Sequence, residues 1–331
     1  MSFDKRKKTD DELVVGEYTA KGKIISVSGG LYRIALSEYD KKVYCRAKGA
    51  FRHSGLTPLV GDEVTLRCNK TPEELTGEES EGGILIESIG ERKNALIRPP
   101  MANLDLIFVT MAAASPAPIL TTVDKLCAIA EHNKIEPVIV IGKSELDPQK
   151  ANEIKDIYTL GGFRVFPVSC VTGDGIDEIR NFIDSELFGK TAAFSGASGV
   201  GKSTLMNLLF PDLHLQTGDI SRKIERGKHT TRSVELYTMG EGENEFYIAD
   251  TPGFSMLDFK QFDFFGKDDL PYTFREFNDY IGECRYTKCT HTKEEGCAIL
   301  EAVRDGRIAR SRHDSFLELY DVLKNKKDWD K

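Results

Sequence analysis

Gly196-Ala197-Ser198-Gly199-Val200-Gly201-Lys202-Ser203 fits the phosphate-loop pattern G-x-x-x-x-G-K-[ST]. The apolar run before it, Thr191-Ala192-Ala193-Phe194, reads as a strand. The run after it, Thr204-Leu205-Met206-Asn207-Leu208-Leu209-Phe210, reads as a helix. Strand, glycine-rich loop and helix are the context in which the pattern works. Glycines let backbone N–H groups turn inward around a phosphate chain, and the helix N-terminus adds positive potential. In this reading the stretch from Gly196 to Thr204 cradles the phosphates, Lys202 reaches the β- and γ-phosphates, and Ser203 ligates Mg²⁺. The alternative is an ordinary glycine-rich turn, and the flanking strand and helix argue against it.

Further pieces of such a site lie on both sides. Downstream, Tyr247-Ile248-Ala249 reads as a strand ending in Asp250-Thr251-Pro252-Gly253, a D-x-x-G arrangement. Asp250 is expected to hold Mg²⁺ through water, and the Gly253 N–H to touch the γ-phosphate. Between the two loops runs Arg226-Gly227-Lys228-His229-Thr230-Thr231-Arg232, where Thr230 or Thr231 would complete the Mg²⁺ shell. On its own D-x-x-G is a common turn. One strand and one phosphate loop upstream give it the functional reading.

The base-reading pieces come first in the chain. Pro137-Val138-Ile139-Val140-Ile141 reads as a buried strand followed by Gly142-Lys143-Ser144-Glu145, and Phe163 to Val168 as another followed by Ser169-Cys170. A guanine-binding loop normally reads N-K-x-D, then S-A. Its carboxylate accepts from guanine N1–H and the exocyclic amine, a donor pair that adenine lacks. Here Lys143 is kept, Gly142 replaces the Asn, and Glu145 replaces the Asp on a longer arm. The expected site is guanine-selective but looser than usual, and an Asn at 142 is expected to tighten it. The order base reader, phosphate loop, magnesium loop, D-x-x-G is that of a circularly permuted GTPase. Such permutation is tolerated because domain termini lie close together, and all the loops can still meet at the carboxyl edge of one parallel sheet.

From about residue 15 to the C-terminus the chain resembles the small-ribosomal-subunit-dependent GTPases of the RsgA/YjeQ type. The resemblance rests on these loops, on Lys93-Asn94-Ala95-Leu96-Ile97-Arg98-Pro99-Pro100, and on a cysteine cluster. It implies GTP hydrolysis to GDP and phosphate, stimulated by the small subunit, in late maturation of that subunit. It also implies contact with rRNA and a His at the position of His229, here read as catalytic together with Lys202. The weakened base-reading loop is the main departure.

The composition suits a soluble multidomain protein. The 331 residues are 30% charged and 40% hydrophobic, and no apolar run approaches the roughly 18 residues needed to cross a bilayer. A cytoplasmic monomer without a membrane partner is expected. The net charge of −8 does not favour nucleic acid as a partner, although local basic patches are compatible with it. Residues 1–15 read as a disordered charged tail. Residues 16–97 read as a small β-barrel, since Val43, Cys45 and Ala47 alternate with Lys42, Tyr44 and Arg46, and Val64, Leu66 and Cys68 with Glu63, Thr65 and Arg67. The resemblance makes this barrel an OB-fold. Tyr32, Arg33, Tyr44, Arg46, Lys48, Phe51, Arg52 and His53 are either RNA-stacking aromatics with phosphate-binding cations or barrel core with solvated charges. Residues 98–265 alternate strands with helices such as 123–133 and 177–188, an α/β P-loop domain. Residues 266–331 form a zinc-binding helical domain.

Seven cysteines are present. Cys45, Cys68, Cys127 and Cys170 sit in apolar segments and read as small core residues. Cys284-x₄-Cys289-x-His291-x₅-Cys297 supplies three thiolates and an imidazole, the set for one closed, structural Zn²⁺ site. Disulfides are the rival, disfavoured by the absence of a secretory signal. From Cys297 to Lys327 the chain reads helical, with Arg304, Arg307, Arg310, Arg312, Lys324, Lys326 and Lys327 on a solvated or rRNA-facing side. Two other functions compete: a nucleotide-gated RNA or ribosome scaffold with negligible turnover, and an ATP-using small-molecule kinase, which Lys143 and Glu145 speak against.

Overall fold

The structure, a computed structural model, describes residues 17–49, 51, 55–75, 83–213, 215, 234–250 and 264–326. The expected tail over 1–15, the RNA-contact candidates Arg52 and His53, and Lys327 lie outside them. The chain forms two compact units, Met1–Leu104 with Thr231–Thr238, and Asp105–Thr230 with Met239–Lys331.

In the first unit β1 (Tyr18–Ser28), β2 (Leu31–Leu36), β3 (Lys42–Ala47), β4 (Glu63–Cys68) and β5 (Ile84–Ile89) close into a barrel in the order β1-β2-β3-β5-β4. The pairs are antiparallel except β3 with β5. Gly29 and Gly30, both at positive φ, make the two-residue turn from β1 to β2. The alternation predicted for β3 and β4 holds: Val43, Cys45, Val64, Leu66 and Cys68 are buried. Tyr32 is buried too, so it belongs to the barrel core and is not available to stack on a base. Arg92 grips the fully buried Asp62 through two 2.7 Å bonds. It thereby fixes the stretch that leads to the short ribbon of β6 (Ala95–Leu96) and β7 (Met101–Ala102).

The sheet of the second unit runs in the order β10-β9-β8-β11-β13. Its strands are β8 (Leu106–Ala112), β9 (Glu136–Gly142), β10 (Arg164–Pro167), β11 (Thr191–Gly196) and β13 (Phe246–Asp250), while β12 (Leu236–Met239) falls mostly among the residues grouped with the first unit. The pairs joining β10, β9, β8, β11 and β13 are all parallel. β8 and β11 are buried along their whole length, as expected for central strands covered on both faces. Helices α1 (Leu120–His132), α2 (Pro148–Leu160), α3 (Ile176–Glu186) and α4 (Lys202–Leu209) complete the doubly wound layer. One face packs around Phe108, stacked on Phe194 with centroids 4.3 Å apart and edge-on to Phe182.

The continuous helix predicted from Cys297 is two helices, α5 (Ala298–Arg304) and α6 (Arg310–Lys324). Gly306 at φ 75° ends the first because a residue without a Cβ takes the left-handed cap at no steric cost. Arg312 is not on a solvated face. Its side chain is 1% exposed, because carboxylates from distant segments converge on it.

Candidate functional site

The loops of interest leave the carboxyl ends of β9, β10, β11 and β13, so parallel register alone gathers them at one edge. β11 delivers the phosphate loop. At Gly196 a Cβ would lie 2.4 Å from the Thr110 carbonyl, so only glycine lets β11 run this close to β8. Gly199 and Gly201 have φ of 83° and 98°, and the turn they make runs straight into α4. Ala197, Ser198 and Gly199 are exposed, Val200 is buried, and Ser203 and Thr204 occupy the first turn of α4. Pairing of β11 with β13 sets Phe194 opposite Asp250, which brings the Asp250 carboxylate to the Lys202 ammonium in a part-buried ion pair. A phosphate chain in the loop would compete with Asp250 for that ammonium.

β9 delivers the base-reading turn. Lys143 is left-handed at φ 55°, and its Nζ donates to the carbonyls of Ser115 (2.5 Å) and Gly199 (2.7 Å). It thus ties the base-reading turn to the phosphate loop, a role the sequence did not disclose. Glu145 sits in the short 3-10 turn Ser144–Leu146, and its Oε2 is buried without a hydrogen-bond donor among the described residues. A buried carboxylate oxygen lacking a donor is costly unless a ligand supplies one. Asp147, out of register for base reading, caps α2 by accepting from Lys150 N at 2.9 Å, with Pro148 in the first turn. Gly142 packs against the phosphate loop. A Cβ there would lie 3.0 Å from the Val200 carbonyl, so an asparagine would press on the phosphate loop while adding its amide, and the tightening expected from it is offset. After β10, buried Ser169 accepts from Val171 N (3.3 Å) and Thr172 N (3.0 Å) through Oγ, which shapes the second base-side loop. The half-buried Cys170 thiol is pushed up by burial and by the Glu145 carboxylate. His229, Thr230, Thr231 and Gly253 lie outside the described residues.

Cys284, Cys289, His291 and Cys297 converge, with all four ligand atoms within 4.8 Å of one another. Cys284 Sγ and Cys297 Sγ are 3.9 Å apart and lie 3.6 and 3.5 Å from His291 Nδ1. A tetrahedral Zn²⁺ site has S···S edges of about 3.8 Å and S···N edges of about 3.5 Å, given the usual bond lengths. The Cys284, Cys297 and His291 edges match those values, and with Cys289 in the same cluster the set fits one zinc ion. Burial pushes the Cys289 thiol up to about 12, so a bound cation is what would hold these sulfurs as thiolates.

Sequence reasoning missed a buried ionic network beside the cluster. Arg312 donates to Asp124 of α1 at 2.5 Å and to Glu276 at 2.6 and 3.1 Å, and Tyr158 of α2 donates to Asp124 at 2.8 Å. Its sequence signal was faint but present. Asp124 is a lone charge on the apolar stripe with Cys127 and Ala128.

The sequence model of the RsgA GTPase family matches residues 89–260, and that of the RsgA N-terminal domain matches residues 21–74. The chain belongs to the RsgA GTPase family. It is 42% identical over 313 residues to a small ribosomal subunit biogenesis GTPase RsgA of Geobacillus thermodenitrificans, an alignment covering 93% of this chain and 99% of that one. To the protein of the same name from Agathobacter rectalis it is 39% identical over 315 residues, covering 92% and 98%. Among solved structures it is similar to YjeQ from Thermotoga maritima, with TM-score 0.76, 30% identity and coverage of 94% and 100%. It is also similar to YloQ, described as a circularly permuted GTPase, with TM-score 0.71, 30% identity and coverage of 95% and 98%. As an RsgA GTPase with a closed N-terminal barrel, a permuted P-loop domain and a C-terminal Cys₃His cluster, the chain is a GTP hydrolase.

Proposed function

We propose that this RsgA-family chain hydrolyses GTP to GDP and phosphate when stimulated by the small ribosomal subunit, and acts in the cytoplasm, as a monomer, during late maturation of that subunit. The observation that supports this best is the meeting of base-reading turn, phosphate loop and Asp250 strand at one sheet edge, in permuted order, in a chain so similar to small ribosomal subunit biogenesis GTPases. The functional division we propose is residues 16–97 for RNA contact, 98–265 for nucleotide chemistry and 266–331 for the zinc knot, behind a tail of residues 1–15. No helix among the described residues is long and apolar enough to cross a membrane.

In this reading the phosphate chain lies in the loop Gly196–Thr204, with backbone N–H groups and Lys202 facing its oxygens, and Gly253 closing on the γ-phosphate. Ser203, Asp250, Thr230 and Thr231 would hold Mg²⁺, which when bound neutralises β- and γ-phosphate charge. Lys143 holds the base-reading turn against the phosphate loop, so base and phosphates are gripped by one connected surface. Ser169 and Cys170 close the other side of the base. Cys284, Cys289, His291 and Cys297 would hold one structural zinc. Steady-state phosphate release with and without purified small subunits tests the whole proposal. Stimulation by subunits is expected. Binding without stimulated turnover would replace it with the nucleotide-gated scaffold.

Guanine selectivity follows from Glu145. Its carboxylate, whose Oε2 has no hydrogen-bond donor among the described residues, would accept from the guanine N–H groups and would face the wrong polarity in adenine. Glu145→Ala should lower the preference for GDP over ADP by about 1–3 kcal/mol, the cost of an unmade buried hydrogen bond. Calorimetric titration of both nucleotides measures it, and a wild type that binds ADP as tightly as GDP removes Glu145 from base reading.

A further inference from the structure

His291 has a left-handed backbone, φ 58°, a conformation that a residue bearing a Cβ seldom takes without external support. That backbone turns its imidazole Nδ1 toward the sulfurs of Cys284 and Cys297. Two groups outside the ligand set hold it there. The Glu294 carboxylate takes donors from both neighbours of His291: Thr290 N at 2.8 Å and the Thr290 hydroxyl on one oxygen, Thr292 N at 3.0 Å and Lys293 N at 3.1 Å on the other. Burial opposes this charge, yet the hydrogen bonds hold the carboxyl down at about 2. From the other side buried His313 donates its Nε2–H to the His291 carbonyl at 2.8 Å. His313 cannot drift. Its ring packs against both Phe277 and Phe316, and its neighbour Arg312 is fixed by Asp124 and Glu276.

We propose that Glu294 and His313 are positioning residues that preorganise His291 for the metal, clamping its peptide in the left-handed form so that Nδ1 meets the three thiolates without rearrangement. The proposal rests on the reading of the Cys₃His cluster as a zinc site. Both groups hold the peptides around a ligand rather than the metal itself, and support of this kind orients a ligating imidazole. A site whose backbone must be reordered on binding would lose that part of its affinity.

The full-length chain tests this by competition for Zn²⁺ against a chromophoric chelator and by the visible spectrum of the Co²⁺-loaded protein. Glu294→Gln keeps the shape but turns amide hydrogens toward backbone N–H donors. His313→Phe keeps the ring stacking and loses the donor, whereas His313→Gln keeps a donor. Zinc affinity should fall about 10–100-fold in Glu294→Gln and in His313→Phe, as for other outer-shell partners, and recover most of the way in His313→Gln. The Co²⁺ ligand-field bands should weaken in the two impaired variants while GDP binding is retained, which separates a misplaced ligand from loss of the fold. GDP binding monitors the fold. Zinc affinity unchanged in both variants, or lost only together with GDP binding, overturns the clamp. A wild type without stoichiometric zinc overturns the underlying reading of the cluster instead.

Discussion

Asp124→Ala should destabilise the second unit by about 3–5 kcal/mol, the cost typical of leaving one member of a buried ion pair uncompensated. Both side chains of the Asp124–Arg312 pair are 1% exposed, so water cannot take over the role of the missing carboxylate. Burial works against the Arg312 charge, and the carboxylates of Asp124 and Glu276 outweigh it. The guanidinium is further enclosed by the rings of Phe274, Phe163 and Tyr158 at 4.7, 5.0 and 5.6 Å. Removing Asp124 leaves one carboxylate for a cation that cannot shed its proton, and strands the Tyr158 hydroxyl. The triple replacement Asp124→Leu, Glu276→Leu and Arg312→Met should recover much of the loss, because apolar groups of similar volume replace a buried ionic group at little cost once no member is left charged. Urea midpoints of the wild type and the two variants decide it. A triple variant as unstable as Asp124→Ala would assign the loss to packing rather than to the unpaired charge.

That network also marks how far the sequence was legible. The phosphate loop could be read because its chemistry demands specific residues at fixed spacing: Gly199 and Gly201 occupy backbone angles that other residues resist. The barrel strands could be read from period-two alternation, and the Cys₃His set from ligand type. Arg312 could not. It falls on a helix rich in cations, and only its carboxylate partners, 188 and 36 residues away, make burial tolerable. Lys143 was recognised but half understood, since its ammonium reaches a loop 56 residues later that only the permuted sheet brings alongside. Gly142 read as a missing amide. Its contact with the Val200 carbonyl shows a close backbone approach that no local pattern encodes. The helix break at Gly306 was visible as a glycine but was overridden by an apolar stripe continuing on both sides.

Lys202→Ala and His229→Ala should both abolish most of the subunit-stimulated hydrolysis, for different reasons that binding separates. Lys202 stands at the start of α4 with its ammonium on Asp250, within the loop that would carry the phosphates. Its loss removes the one side-chain cation of that loop, so GTP binding and turnover should fall together. In the proposed reading His229 serves hydrolysis alone. Many GTPases place a glutamine just after D-x-x-G to orient the attacking water, whereas this chain has Phe254 there, and an aromatic ring cannot hydrogen-bond a water in that role. A neutral imidazole can accept from water near pH 7, and His229 lies beside Thr230 and Thr231 in the loop assigned to Mg²⁺. We therefore expect His229→Ala to retain GTP affinity while its subunit-stimulated rate falls about 10²–10⁴-fold, the range for a positioned proton acceptor. Calorimetry gives the affinities and phosphate release with saturating small subunits gives the rates. Equal stimulation of wild type and His229→Ala would remove His229 from the mechanism, and a Lys202→Ala chain that still binds GTP normally would mean that backbone N–H groups alone hold the phosphates.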